Sequence, residues 1–160
     1  METVDHRLPD SLFTEFVSVM PQVSVELVVE DDGEYLLARR VQEPARGEWF
    51  WPGSRLFKGE PFDEAVDRVA REELGVAVDV CCQLGVYSHF WETDVFDEVD
   101  SKHTVNVVYH AHLVDDRSEL TLDDQHDAVR FVTGPDDGDD DDDDLHPYVR
   151  QYLTDLVASH

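Results

Sequence analysis

The chain has 160 residues, 41% of them hydrophobic, enough for one ordinary core and too few for two. Its 38 acids against 12 bases give a formal net charge of −26, which excludes a nucleic-acid or anionic-membrane partner and points to a halophilic cytoplasm, where molar salt cuts the Debye length to about 3 Å. The acidity is general: without the eight aspartates between positions 136 and 144, −26 would become −18.

The opening residues METVDHRLPD carry acids and no apolar run, so they do not read as a secretory signal. No segment reaches 18 consecutive apolar residues, so no membrane span is expected. Residues 11–19 predict a short helix capped by Asp10 or Ser11 and ended by Pro21. Residues 23–31 and 34–40 are β-rich runs joined by the turn signal DDG, and predict a hairpin. A loop then leads into the aromatic run Trp49, Phe50 and Trp51, whose rings could stack on a purine but read more simply as core. Pro61 suits the first turn of a helix. Ala65, Val66, Val69, Ala70 and Leu74 recur at helical spacing up to Gly75, a good stop. Residues 76–91, 103–114 and 128–133 predict further strands, and 145–160 a closing amphipathic helix. Cys81 and Cys82 are adjacent, staple no loop, and predict packed, reduced thiols. The tract 136–144 predicts a solvated acidic loop with no calcium-loop pattern. Strands on both sides of a central helix point to an α+β sandwich, with 1–160 as a single domain.

The stretch WPGSRLFKGEPFDEAVDRVAREELGV, residues 51–76, carries the chemistry. Hard divalent cations prefer oxygen ligands. Glu72 and Glu73 lie about 100° apart on a helix, so one can face a cleft while the other flanks it. A Gly-Pro loop can turn a backbone carbonyl toward the same cation, and Arg55 stands beside it for a phosphate. An ordinary amphipathic helix with a charged outer face would show the same charges.

The spacing resembles the Nudix box, G-x5-E-x7-R-E-U-x-E-E-x-G-U, with U aliphatic. Glu60, Arg68, Glu72, Glu73, Gly75 and two aliphatic positions match; Ser54 replaces a glycine and Val69 a glutamate. The absence of that glutamate is shared with the GDP-mannose mannosyl hydrolase branch. The resemblance extends to residues 20–133 through the first hairpin, the EPARGEWF run, GVYSHFW and DDQHDAVRF. It implies the Nudix fold, a mixed β-sheet between helices, in a homodimer.

The same resemblance implies the chemistry. Water attacks the anomeric carbon of a nucleotide sugar and GDP leaves, a route that needs one Mg2+ on the diphosphate instead of several on phosphorus. The magnesium ligands would be the Gly53 carbonyl, Glu73 and Gln125, with Glu60 and Glu72 around them. His126 would be the general base, a task suited to imidazole near neutral pH, with Asp124 and Asp127 beside it to hold the imidazolium. Arg40 and Arg55 would neutralise the leaving diphosphate. Glu26 and His89 would line the sugar pocket. Arg68 would contact substrate or pair with a box glutamate. A tyrosine of that branch is replaced by Thr104, with His103 or Tyr109 to compensate. Two other readings remain open: a pyrophosphohydrolase attacking phosphorus of a nucleotide sugar or nucleoside triphosphate, and a catalytically silent nucleotide-sugar sensor.

Overall fold

The computed structural model describes residues 1–4, 7–92, 101–137 and 145–159. Strands β1 (Gln22–Asp31) and β2 (Glu34–Arg40) form the expected hairpin. Asp32 and Gly33 take φ of 50° and 79°, the doubly positive geometry of the tight turn that suits the right-handed twist of paired strands. Strand β1 also runs parallel to β6 (Lys102–Leu113), in register from Gln22↔Thr104 to Glu30↔His112. The other strands, β3 (Trp49–Phe50), β4 (Gly53–Arg55), β5 (Val78–Trp91) and β7 (His126–Val132), pair antiparallel. The result is one mixed sheet, ordered β3-β2-β1-β6-β5, with β4 on β1 and β7 on β2.

Two helices cover the two faces, and the alternation of side chains along β1 sorts residues between them. Val25, Leu27 and Val29 pack against Ala65, Val66, Val69, Ala70 and Leu74 from α2 (Phe62–Val69) and the turn after it. Val28, with Leu37, Phe50 and Trp51, packs against Val149, Tyr152, Leu153 and Leu156 of α3 (Pro147–Ala158). The aromatic run is therefore core, with Phe50 and Trp51 buried and Trp49 half-buried against the same cluster.

Several local expectations are corrected. Helix α1 (Asp10–Val19) is preceded by Pro9 at the cap, and Asp10 lies in the first turn, where an acid meets the positive end of the macrodipole. Pro61 is the cap residue of α2, just outside the first turn. Cys81 and Cys82 are free thiols as expected but exposed, in a stretch of the edge strand β5, residues 79–83, that is exposed throughout. Most of the acidic tract, 138–144, lies outside the described residues. Among the described residues, no helix is long and apolar enough to cross a membrane.

Candidate active site

Helix α2 does not end as an α-helix. Residues Ala70–Leu74 form a π-helical turn, closed by Gly75 at φ 67°. Such turns add a residue to the helical ladder and are frequent at functional sites. Here the turn carries both box glutamates: Glu72 points to solvent and Glu73 is buried. Val69, one residue before it, is fully buried in the core, where an ionised glutamate would be costly.

The first half of the box is a satisfied ion-pair network. Arg68 donates to both oxygens of Glu60, Nε to Oε2 at 2.6 Å and Nη2 to Oε1 at 2.9 Å. It also donates to the Arg55 carbonyl at 3.0 Å and stacks over Phe57. Burial alone would raise the Glu60 pKa, but the Arg68 hydrogen bonds and the Phe57 amide carry it below the usual carboxylate value. Thus the structure places Arg68 within a carboxylate pair and away from the cleft lining.

Glu73 is the opposite case. The residue is 5% exposed, and neither carboxylate oxygen makes a hydrogen bond of ordinary geometry. Burial, reinforced by the Asp123 charge, pushes its pKa to about 8, against the pull of the Gly53 amide, Arg40 and Arg68. Ligand atoms of Glu73, Asp123 and His126 lie within 4.8 Å of one another. A cation would satisfy the two orphaned oxygens, so the donor set fits a divalent metal.

His126 begins β7, where a register shift after Ala38 sets Arg40 opposite it. The Val41 amide donates to the Gln125 carbonyl at 3.0 Å and ties the two segments together. The His126 ring is buried, with Nδ1 2.7 Å from Asp123 Oδ1 and Nε2 3.9 Å from Glu73 Oε1. Asp123 thus takes the place expected of Asp124 and Asp127. Asp124 is exposed, and Asp127 is paired with Arg39 at 2.7 and 3.0 Å.

Beside this cluster opens a cleft of about 310 Å³, lined by Glu26, Arg40, Gly53, Arg55, His89 and Gln125 among others. Gly53 pairs with Glu26 across β1 and β4, and a Cβ at Gly53 would lie 2.7 Å from Glu26 Cγ, so only glycine fits. Arg40 donates to the Pro44 carbonyl at 2.7 Å. Burial lowers its pKa, and the charges of Glu73, Glu26, Asp123 and Glu43 restore part of the loss.

Behind the wall formed by Glu26 and His89 lies a residue that the local sequence does not announce. Tyr152, from α3, has its hydroxyl 3.2 Å from both Glu26 Oε1 and His89 Nε2. Burial raises the Glu26 pKa to about 8, despite Tyr152 and Arg40. Burial and His146 lower the His89 pKa to about 4, with Gln151 opposing. Burial thus favours the neutral form of both side chains. Thr104 and Asn106 complete this wall, the Asn106 amide donating to Thr104 Oγ1 at 3.1 Å. Tyr109 packs toward α2 and His103 stacks on Phe90; neither lines the cleft, so neither replaces the tyrosine expected near the phosphates.

The NUDIX domain profile matches residues 20–152. The chain is 42% identical over 150 residues to the low-salt glycan biosynthesis protein Agl8 of Haloferax volcanii, covering 94% of this chain and 91% of that protein. It is 40% identical over 68 residues to an ADP-ribose pyrophosphatase of Methanocaldococcus jannaschii, covering 42% of this chain and 40% of the relative. Among solved structures, a MutT NUDIX hydrolase from Burkholderia pseudomallei superposes with a TM-score of 0.67 at 28% identity, over 86% of this chain and 98% of that one.

Proposed function

The chain belongs to the NUDIX domain family and is a Nudix hydrolase, and we propose that it hydrolyses a nucleotide sugar of the GDP-mannose type by attack of water on the anomeric carbon. The observation that carries this reading is the exchange between positions 69 and 126. Val69 puts an apolar side chain in the core where the box has a carboxylate, while His126 stands 3.9 Å from a retained one, Glu73. Attack at carbon needs one base and a neutralised leaving group. The similarity to a glycan biosynthesis protein of a haloarchaeon supports a sugar-bearing substrate and, with the −26 charge, a halophilic cytoplasm.

Magnesium held by the Gly53 carbonyl, Glu73 and Gln125 would supply Lewis-acid stabilisation of the diphosphate. The chain's own residues do the rest. Asp123 accepts the Nδ1 proton of His126, which leaves the Nε2 lone pair to take a proton from water. As the water oxygen bonds to carbon, the carbon–oxygen bond to the diphosphate breaks, and Arg40 and Arg55 neutralise the departing charge. Glu26, in the neutral form that its burial favours, donates to a sugar hydroxyl, with Tyr152 and His89 fixing its orientation. Arg68 holds the helix through Glu60. A single domain acting as a homodimer completes the proposal.

A second reading, attack on phosphorus, is favoured by one observation. Glu73, Asp123 and His126 converge closely enough for His126 to serve as a cation ligand instead of a base. The partial match to an ADP-ribose pyrophosphatase agrees with it.

The test is product analysis with GDP-mannose and magnesium at high salt in isotopically labelled water. GDP and labelled sugar are expected. GMP and sugar phosphate would establish the second reading, and binding without turnover would make the protein a sensor.

A further inference from the structure

At the opposite end of β1 from the cleft lies a second cluster of metal-ligating side chains, with different chemistry. In a regular strand, sequence neighbours point to opposite faces and cannot chelate one ion. Strand β5 breaks that rule. Its register on β6 passes from Val80↔Ala111 to Cys82↔His110, so Cys81 is an extra residue opposite a single partner. The bulge brings both thiols to His110: one ligand atom from each of Cys81, Cys82 and His110 lies within 4.8 Å of the other two.

We propose that Cys81, Cys82 and His110 form a binding site for one thiophilic divalent cation of the zinc class, with Glu30 orienting the imidazole.

Tetrahedral zinc, with bonds of about 2.0–2.3 Å, holds its ligand atoms roughly 3.3–3.8 Å apart. The cluster therefore needs to contract by about 1 Å, which exposed cysteine side chains reach by rotation. Glu30 Oε2 lies 2.6 Å from His110 Nε2. A carboxylate on one ring nitrogen is the usual means of orienting a metal-bound histidine and raising its basicity. His112 Nδ1 is 3.8 Å from the same Glu30 oxygen and converges within 4.8 Å with Glu30 and His110, in a group that does not include the thiols. Water can take the fourth position.

The two ends of β1 select different ions. The cleft offers carboxylate and carbonyl oxygen, which suit magnesium; the distal cluster offers sulfur and imidazole, which suit zinc. Glu30 is four residues beyond Glu26 on β1, about 13 Å along the strand, so this site is independent of the reaction in the cleft. Cysteine binds as thiolate, so binding releases the thiol protons to buffer, and affinity falls as pH falls.

The test uses the reduced full-length chain in excess magnesium, with Co2+ as the spectroscopic probe and Zn2+ as competitor. A near-ultraviolet sulfur-to-cobalt charge-transfer band is expected, abolished by one equivalent of zinc. Cys82→Ser should weaken zinc binding at least 100-fold, and Glu30→Gln by about 10- to 100-fold. Glu73→Gln should leave the band unchanged. Absence of the band in the reduced protein, or unchanged zinc affinity in Cys81→Ser/Cys82→Ser, would overturn the proposal; both substitutions are at exposed positions that the fold tolerates.

Discussion

Two glutamates of the same box, thirteen positions apart, have opposite fates. The Glu60 side chain is buried and saturated: Arg68 holds both its oxygens, which favours the ionised form. Glu73 is buried and orphaned, with a pKa pushed to about 8. A charge with every partner in place belongs to the scaffold. A carboxylate carried into the interior without a partner costs stability and is kept for what it will bind.

The largest effect should come from the saturated pair. Arg68→Met leaves the Glu60 carboxylate buried without its cation and should destabilise the protein by about 3–5 kcal/mol in denaturant unfolding at high salt. A loss below about 1 kcal/mol would make the network ornamental. Next, Glu73→Gln should lower turnover at least about 10²-fold, beyond the range typical of residues that only support a ligand. The same change should stabilise the metal-free protein at pH 9, because it removes an uncompensated buried charge.

Glu26 sharpens the comparison through pH. Its folded pKa, about 8, exceeds its ordinary value of 4.5. Below pH 4.5 it is neutral in both states and costs nothing; between 4.5 and 8 the unfolded chain ionises first, so stability falls as pH rises. Glu26→Gln should therefore gain on the parent across that window, by up to about 1.4 kcal/mol per pH unit, in metal-free melts. A pH-independent difference would show that Glu26 is ionised in the fold. The smallest effect is expected at Asp127: its partner is the exposed Arg39, so Asp127→Asn should change turnover less than twofold, whereas Asp123→Asn should reduce it at least tenfold.

The box helix was legible because its information is local. Glu60, Arg68, Glu72 and Glu73 keep a fixed spacing, and helical periodicity alone predicts which positions face the core. The hairpin was legible for the same reason, since DDG encodes its turn. What remained hidden is non-local or depends on a break in regularity. Tyr152 reaches Glu26 across 126 residues, and nothing in the closing helix marks it as different from a core tyrosine. Asp123 sits three residues before His126, a spacing that a turn brings together, while the adjacent Asp124 and Asp127 drew attention by proximity in sequence. The π-helical turn and the β5 bulge each insert one residue into a regular ladder. They alter which side chains meet across a ladder, while the cysteines are exposed because this part of the edge strand is uncovered.

The most direct measurement is the divalent-cation affinity of His126→Gln, taken beside its turnover with GDP-mannose. If His126 is the base, the variant keeps the parent's magnesium affinity and loses at least tenfold in turnover at neutral pH. If it loses cation binding as severely as Glu73→Gln does, His126 is a metal ligand, and attack on carbon with this histidine as base is contradicted.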